Sequence, residues 1–74
     1  MPVVKRKKIR ERRQRTGMKL GPFAQYAGVK YMTLANVECG HQNPSIEVVH
    51  LIAKALGCDA EELLGEDEPE AAAA

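Results

Sequence analysis

The chain is expected to fold as an all-α protein, a compact five-helix bundle whose second and third helices meet at a tight corner. Its apolar set is dominated by Ala, Leu, Val and Ile, with two Tyr, one Phe and no Trp, which suits small helices better than a sheet. Apolar residues fall at helical spacing at Phe23, Ala27, Val29, Leu34 and Val37. Between the two halves of that pattern, Ala27-Gly28-Val29 marks a sharp break, with a small Ala24 one turn earlier. With 74 residues the chain is one domain near the lower size limit for a core without disulfide or metal, so the packing must be dense.

Each element follows from local chemistry. Residues 1–4 are expected to fray. Residues 5–16, KRKKIRERRQRT, read as a first helix that stops at Gly17 and has Ile9 as its apolar anchor. Arg12 and Arg13 lie about one turn further on, and at least one of them must lay its aliphatic stem on the core. Met18 packs inward. In the second helix Gly21 is the expected cap, and the helix starts near Pro22, whose missing N–H would be unpaired in a first turn anyway. Ala24 marks the crossing with the third helix, where a larger side chain would force the axes apart at a cost of about 1–3 kcal/mol. Gly28 supplies the positive φ of the corner.

The third helix, residues 30–39, turns Leu34 and Val37 inward and Tyr31, Met32, Ala35 and Asn36 outward, with Lys30 at its start. Gly40 ends it. Ser45 caps a fourth helix, Ile46 to Leu56, whose inner stripe of Ile46, Val49, Ile52, Ala53 and Leu56 is widened by Val48 and Leu51. After Gly57, Asp59-Ala60-Glu61-Glu62 has the form of a capping box and opens a short fifth helix. Its Leu63 and Leu64 fold back on the core or meet a second subunit. Residues 1–65 thus make the domain with its basic N-terminal arm and helix, and residues 66–74 are expected to be a disordered acidic and Ala-rich tail. The tail serves solubility, or competes for the basic helix.

The net charge of +1 conceals segregation. Residues 5–15 hold eight Lys or Arg against the single Glu11, and residues 59–70 hold seven acids and no base. A basic end of this kind points to nucleic acid or another anionic surface, the plain alternative being a solvated helix face. No apolar run is long enough for a membrane span or a secretory signal, so a cytoplasmic location on the nucleoid is expected. The two cysteines are expected to remain thiols. Cys39, His41, His50 and Cys58 carry zinc-binding atoms, but their spacing matches no zinc module, and no metal or cofactor is expected. Nor is an enzyme expected, because no nucleophile has a base at usable spacing, no Gly-rich phosphate loop precedes a helix, and the domain is too small for an ordinary cleft.

Ala24, Gly28-Val29, Val37-Glu38 and Gly40, followed by Asn43-Pro44-Ser45, Ala53-Lys54-Ala55-Leu56-Gly57 and the terminal DAEELL, appear in one order over residues 8–65. In these pieces the chain resembles the DNA-binding domain of the phage lambda repressor/Cro family, the XRE-type helix-turn-helix. The resemblance implies a sequence-specific, double-stranded-DNA-binding transcriptional regulator, a repressor, with helices 2 and 3 as the helix-turn-helix. It places Tyr31, Met32 and Asn36 at base-contacting positions and Lys30 at a phosphate-contacting one. By the same resemblance the start of the first helix, with Lys5, Arg6 and Lys8, runs near the sugar-phosphate backbone, as do Gln42 and Asn43 of the loop before the fourth helix.

Family members often carry a Gln where this chain has Leu20, so that grip on a phosphate passes to the backbone N–H groups of the second helix with Lys19 beside them. The family also pairs the acid at Glu38 with a base of the first helix, here Arg10 or Arg13. Asn36 has the clearest chemistry, since its amide pairs bidentately with adenine N6 and N7. Met32 and Ala35 suit a thymine methyl, and Tyr31 suits a phosphate or base edge. With no Arg on this face, an A·T-rich site is expected. The family binds as dimers, and a weak homodimer formed on DNA is expected here. The competing function is a protein-interaction module, antitoxin-like or adaptor, that docks a partner through Leu20, Tyr31, Met32 and Ala35.

Overall fold

Helices α1 (Arg6–Thr16) and α2 (Leu20–Ala27) each pack against both α3 (Tyr31–Cys39) and α4 (Ile46–Leu56). The computed structural model describes residues 3–66. Expectations for Met1, Pro2 and residues 67–74, most of the acidic tail, lie outside the described residues.

Ile9, Phe23, Leu34, Val37, Val49, Ile52 and Leu63 are fully enclosed and draw every element into one core. Burying a side chain such as Phe23 contributes about 1.5–3 kcal/mol, so a few of them supply most of what so small a domain can gain. Ala24 is 2% exposed. A buried residue this small lets a neighbouring helix approach α2 closely.

Among the described residues four α-helices form, and the expected fifth is a single 3-10 turn at Ala60–Glu62. Too few residues lie between Asp59 and Gly65 to offset helix nucleation, and the chain closes short i to i+3 bonds instead, from the N–H of Leu63 to Ala60 and of Leu64 to Glu61. Beyond the turn the backbone is drawn straight by the N-terminus. Lys5 N–H donates to the Leu63 carbonyl at 2.7 Å and Gly65 N–H to the Val3 carbonyl at 2.8 Å, flanking an antiparallel bridge between Val4 and Leu64. The expectation that residues 1–4 fray therefore fails for Val3 and Val4. Val4 is buried and its backbone is paired with a segment some sixty residues away in sequence.

Two helix expectations also need correction. Helix α2 begins at Leu20, with Lys19 in extended conformation at its cap, so Gly21 lies inside the first turn rather than before it. On α4, Val49, Ile52 and Ala53 are buried, whereas Ile46 and Leu51 are 46% and 40% exposed. The neighbouring elements cover a narrower arc of α4 than its apolar residues would fill. Ser45 caps α4 as expected, its Oγ accepting the Val48 N–H at 3.3 Å.

Candidate nucleic-acid interface

The corner between α2 and α3 is set by Gly28, whose φ of +79° permits the reversal at the end of α2. Val29 N–H returns to the Ala24 carbonyl at 2.9 Å, and Val29 is buried, so the link is fastened on both sides. Leu34, Val37 and Glu38 form the inner face of α3. Tyr31 and Met32 project on the other side, 53% and 65% exposed, with Ala35 and Asn36 half-buried beside them.

The first turns of α2 and α3 are neighbours, because the Tyr31 ring lies over Gly21, its Cδ1 3.8 Å from where a Cβ on that glycine would stand. Each of these helices has a lysine at its cap, Lys19 and Lys30, neither makes a side-chain cap bond, and neither first turn contains an acid. Both lysines are exposed. Cations at the positive end of a helix are unfavourable by some tenths of a kcal/mol, and unsatisfied N–H groups add to the positive field. Two such ends set side by side form a place where an anion is favoured. Helix α1 likewise starts at a lysine, Lys5, with no acid in its first turn, whereas Glu47 lies in the first turn of α4 and Glu61 and Glu62 in the 3-10 turn.

A buried ion pair holds this corner to α1. Arg13 donates from Nε to Glu38 Oε2 at 2.7 Å and from Nη2 to Glu38 Oε1 at 3.0 Å, and its Nη1 reaches the Met18 carbonyl at 3.0 Å. Arg13, rather than Arg10, is thus the partner of Glu38. It lies on the same stripe of α1 as the buried Ile9, four residues earlier.

Parts of the basic run pair with acids of the same molecule. Arg12 donates to Glu62 at 3.2 Å and Arg15 pairs with Glu11 on its own helix. Arg6 lies against Gly40 at the end of α3, its Nε 3.0 Å from where a Cβ on that glycine would stand. Lys5 lies half-buried beside Gly65, and Lys8 stands near enough to Glu62 to help lower its pKa. Glu62 is held below the usual glutamate range chiefly by the Asp59 backbone N–H and next by the hydrogen bond from Arg12. Lys5 and Lys8 therefore lie beside the C-terminal turn and Arg6 beside the end of α3.

Gln42 and Asn43 are exposed in the loop after α3. Asn36 donates from Nδ2 to Gln42 Oε1 at 3.3 Å, a contact that sequence reasoning did not anticipate because it joins a helix to a loop. The Tyr31 contact with Gly21 was also missed; a glycine in the first turn of a helix is the only sequence signal for it. Cys39 and Cys58 are both free thiols, and among the described residues no three metal-binding side chains gather.

A short helix wedged by small residues against its neighbour, with a projecting polar and apolar row, defines a helix-turn-helix DNA-binding domain. The chain belongs to the helix-turn-helix family of XRE, lambda repressor-like type, whose family model matches residues 9–63. This is a family of DNA-binding regulatory domains, typically non-enzymatic. No curated protein matches the chain. Among the described residues no helix is long and apolar enough to cross a membrane.

Proposed function

We propose that the protein is a sequence-specific transcriptional regulator, a repressor, that inserts α3 into the major groove of double-stranded DNA. The observation that supports this most is the pair of adjacent helix starts capped by Lys19 and Lys30, directly beside the exposed Tyr31 and Met32. In this reading the two lysines and the backbone amides of α2 hold phosphates while Tyr31, Met32 and Asn36 meet base edges. Binding to palindromic sites as a weak dimer that forms on the DNA, and action on the nucleoid, belong to the same reading.

The test is affinity for a duplex selected from a random pool, set against affinity for random DNA. Asn36→Ala should reduce the ratio of specific to nonspecific affinity about tenfold while nonspecific affinity changes little. Equal losses on both duplexes would remove Asn36 as a base reader.

A second reading, a protein-interaction module, is favoured by the apolar character of the exposed row, where Tyr26, Tyr31 and Met32 are each more than half exposed. DNA that shifts NMR signals of α1 alone, leaving α3 unmoved, would favour it.

A further inference from the structure

We propose that Gln42 is a positioning residue for base reading: it fixes the carboxamide of Asn36 and thereby sets discrimination at one base pair without meeting that base itself. The inference rests on the DNA-reading role of α3 proposed above.

Three features place Gln42. The φ of +79° at Gly40 and the bond from His41 N–H to the Asn36 carbonyl, 2.9 Å, fold the chain back over the last turn of α3. At the other end of the loop Pro44 is fully buried and Ser45 caps α4. Residues 41–43 are thus fastened on both sides, which places the Gln42 backbone within side-chain reach of Asn36.

The amide chemistry then ties the orientation of Asn36 to that of Gln42. Gln42 Oε1 accepts from Asn36 Nδ2. A flip of Asn36 alone would set its own oxygen against that acceptor and lose the bond, so the two amides can turn only together. The NH2 group has two hydrogens, so one remains, together with Oδ1, and these two are the donor and acceptor that adenine N7 and N6 require. An asparagine without such a partner must surrender the choice between two amide orientations on meeting a base; here that choice is tied to Gln42, whose Oε1 faces Asn36. A glutamine that only met a phosphate would strengthen binding to every sequence alike.

Two substitutions of opposite charge separate these roles. Gln42→Lys removes the acceptor but adds a cation for phosphates, and Gln42→Glu keeps an acceptor while adding an anion. Each is made in the Asn36 and the Asn36→Ala backgrounds. Anisotropy titrations use the selected duplex and the same duplex altered at the base pair where Asn36→Ala loses discrimination. Thermal melting checks folding, which should hold because Gln42 is exposed.

The inference expects Gln42→Lys to bind both duplexes more tightly yet lose about threefold to tenfold in discrimination, the scale of one hydrogen bond. Gln42→Glu should bind both more weakly yet keep its discrimination. In the Asn36→Ala background neither should alter it. Full discrimination in Gln42→Lys, or an equal loss in Gln42→Glu, overturns the positioning role while leaving the DNA reading intact. A wild-type protein that distinguishes no duplex from random DNA overturns both.

Discussion

Arg13 and Glu38 face each other in parallel, Nε to Oε2 at 2.7 Å and Nη2 to Oε1 at 3.0 Å, with side chains only 12% and 7% exposed. The pair joins α1 to the recognition corner. Removing one partner strands a charge in a poorly hydrated place, so Arg13→Ala should cost about 3 kcal/mol in urea unfolding, a large share of the stability of so small a domain. Replacing both by apolar residues, Arg13→Met with Glu38→Leu, should recover most of that loss. Equal destabilisation by the single and double changes would show that the pair itself, rather than the stranded charge, carries the energy.

Gly28 and Gly40 share the same φ of +79° but not the same surroundings. Around Gly28 a Cβ would meet nothing within 4 Å, whereas at Gly40 it would meet Arg6 Nε at 3.0 Å. Gly28→Ala should thus cost only the left-handed backbone strain, about 1–2 kcal/mol. Gly40→Ala should cost more, and the excess should vanish in an Arg6→Ala background if that side chain is the obstacle. A double-mutant cycle by chemical denaturation gives the answer.

Acid should weaken the closure of the C-terminal turn. Since the Glu62 pKa is lowered in the folded protein, its contribution is present above the ordinary glutamate range and is lost as pH falls through the lowered value. Between pH 3 and 6 the melting temperature of the wild type should rise more steeply with pH than that of Glu62→Gln. Parallel profiles would show that the bonds from Asp59 and Arg12 do not favour the charged form.

Much of this was legible in the sequence, for identifiable reasons. Ile9, Phe23, Ala24, Leu34 and Val37 are buried where helical spacing put them, and Gly28 takes the conformation that the corner demands. Glu38 found its partner among the two arginines considered. What could not be read depends on tertiary context. Val3 and Val4 are β-branched neighbours, a weak strand signal, but their pairing with Leu64 and Gly65 spans the whole chain. Ile46 has the apolar character of the α4 stripe, yet among the described residues no element reaches far enough to cover it. The partition of the basic run among Glu11, Glu38 and Glu62 likewise needed coordinates.

That partition bears on binding. Arg12, Arg13 and Arg15 already face acids of the same molecule, so the salt dependence of DNA affinity should be shallower than the eight cations of residues 5–15 would give on their own. Lys19→Ala and Lys30→Ala should each lower the slope of log affinity against log salt by about one. Arg15→Ala should leave it nearly unchanged. A fall of similar size for Arg15 would place α1 on the phosphates.

NMR of the 15N-labelled protein titrated with its selected duplex tests the outward face of α3 most directly. Tyr31, Met32 and Asn36 should show the largest shifts and intermolecular contacts to base protons, with Lys19 and Lys30 perturbed beside them. If those residues stay unmoved while the response is confined to α1, α3 does not enter the groove and the account is contradicted.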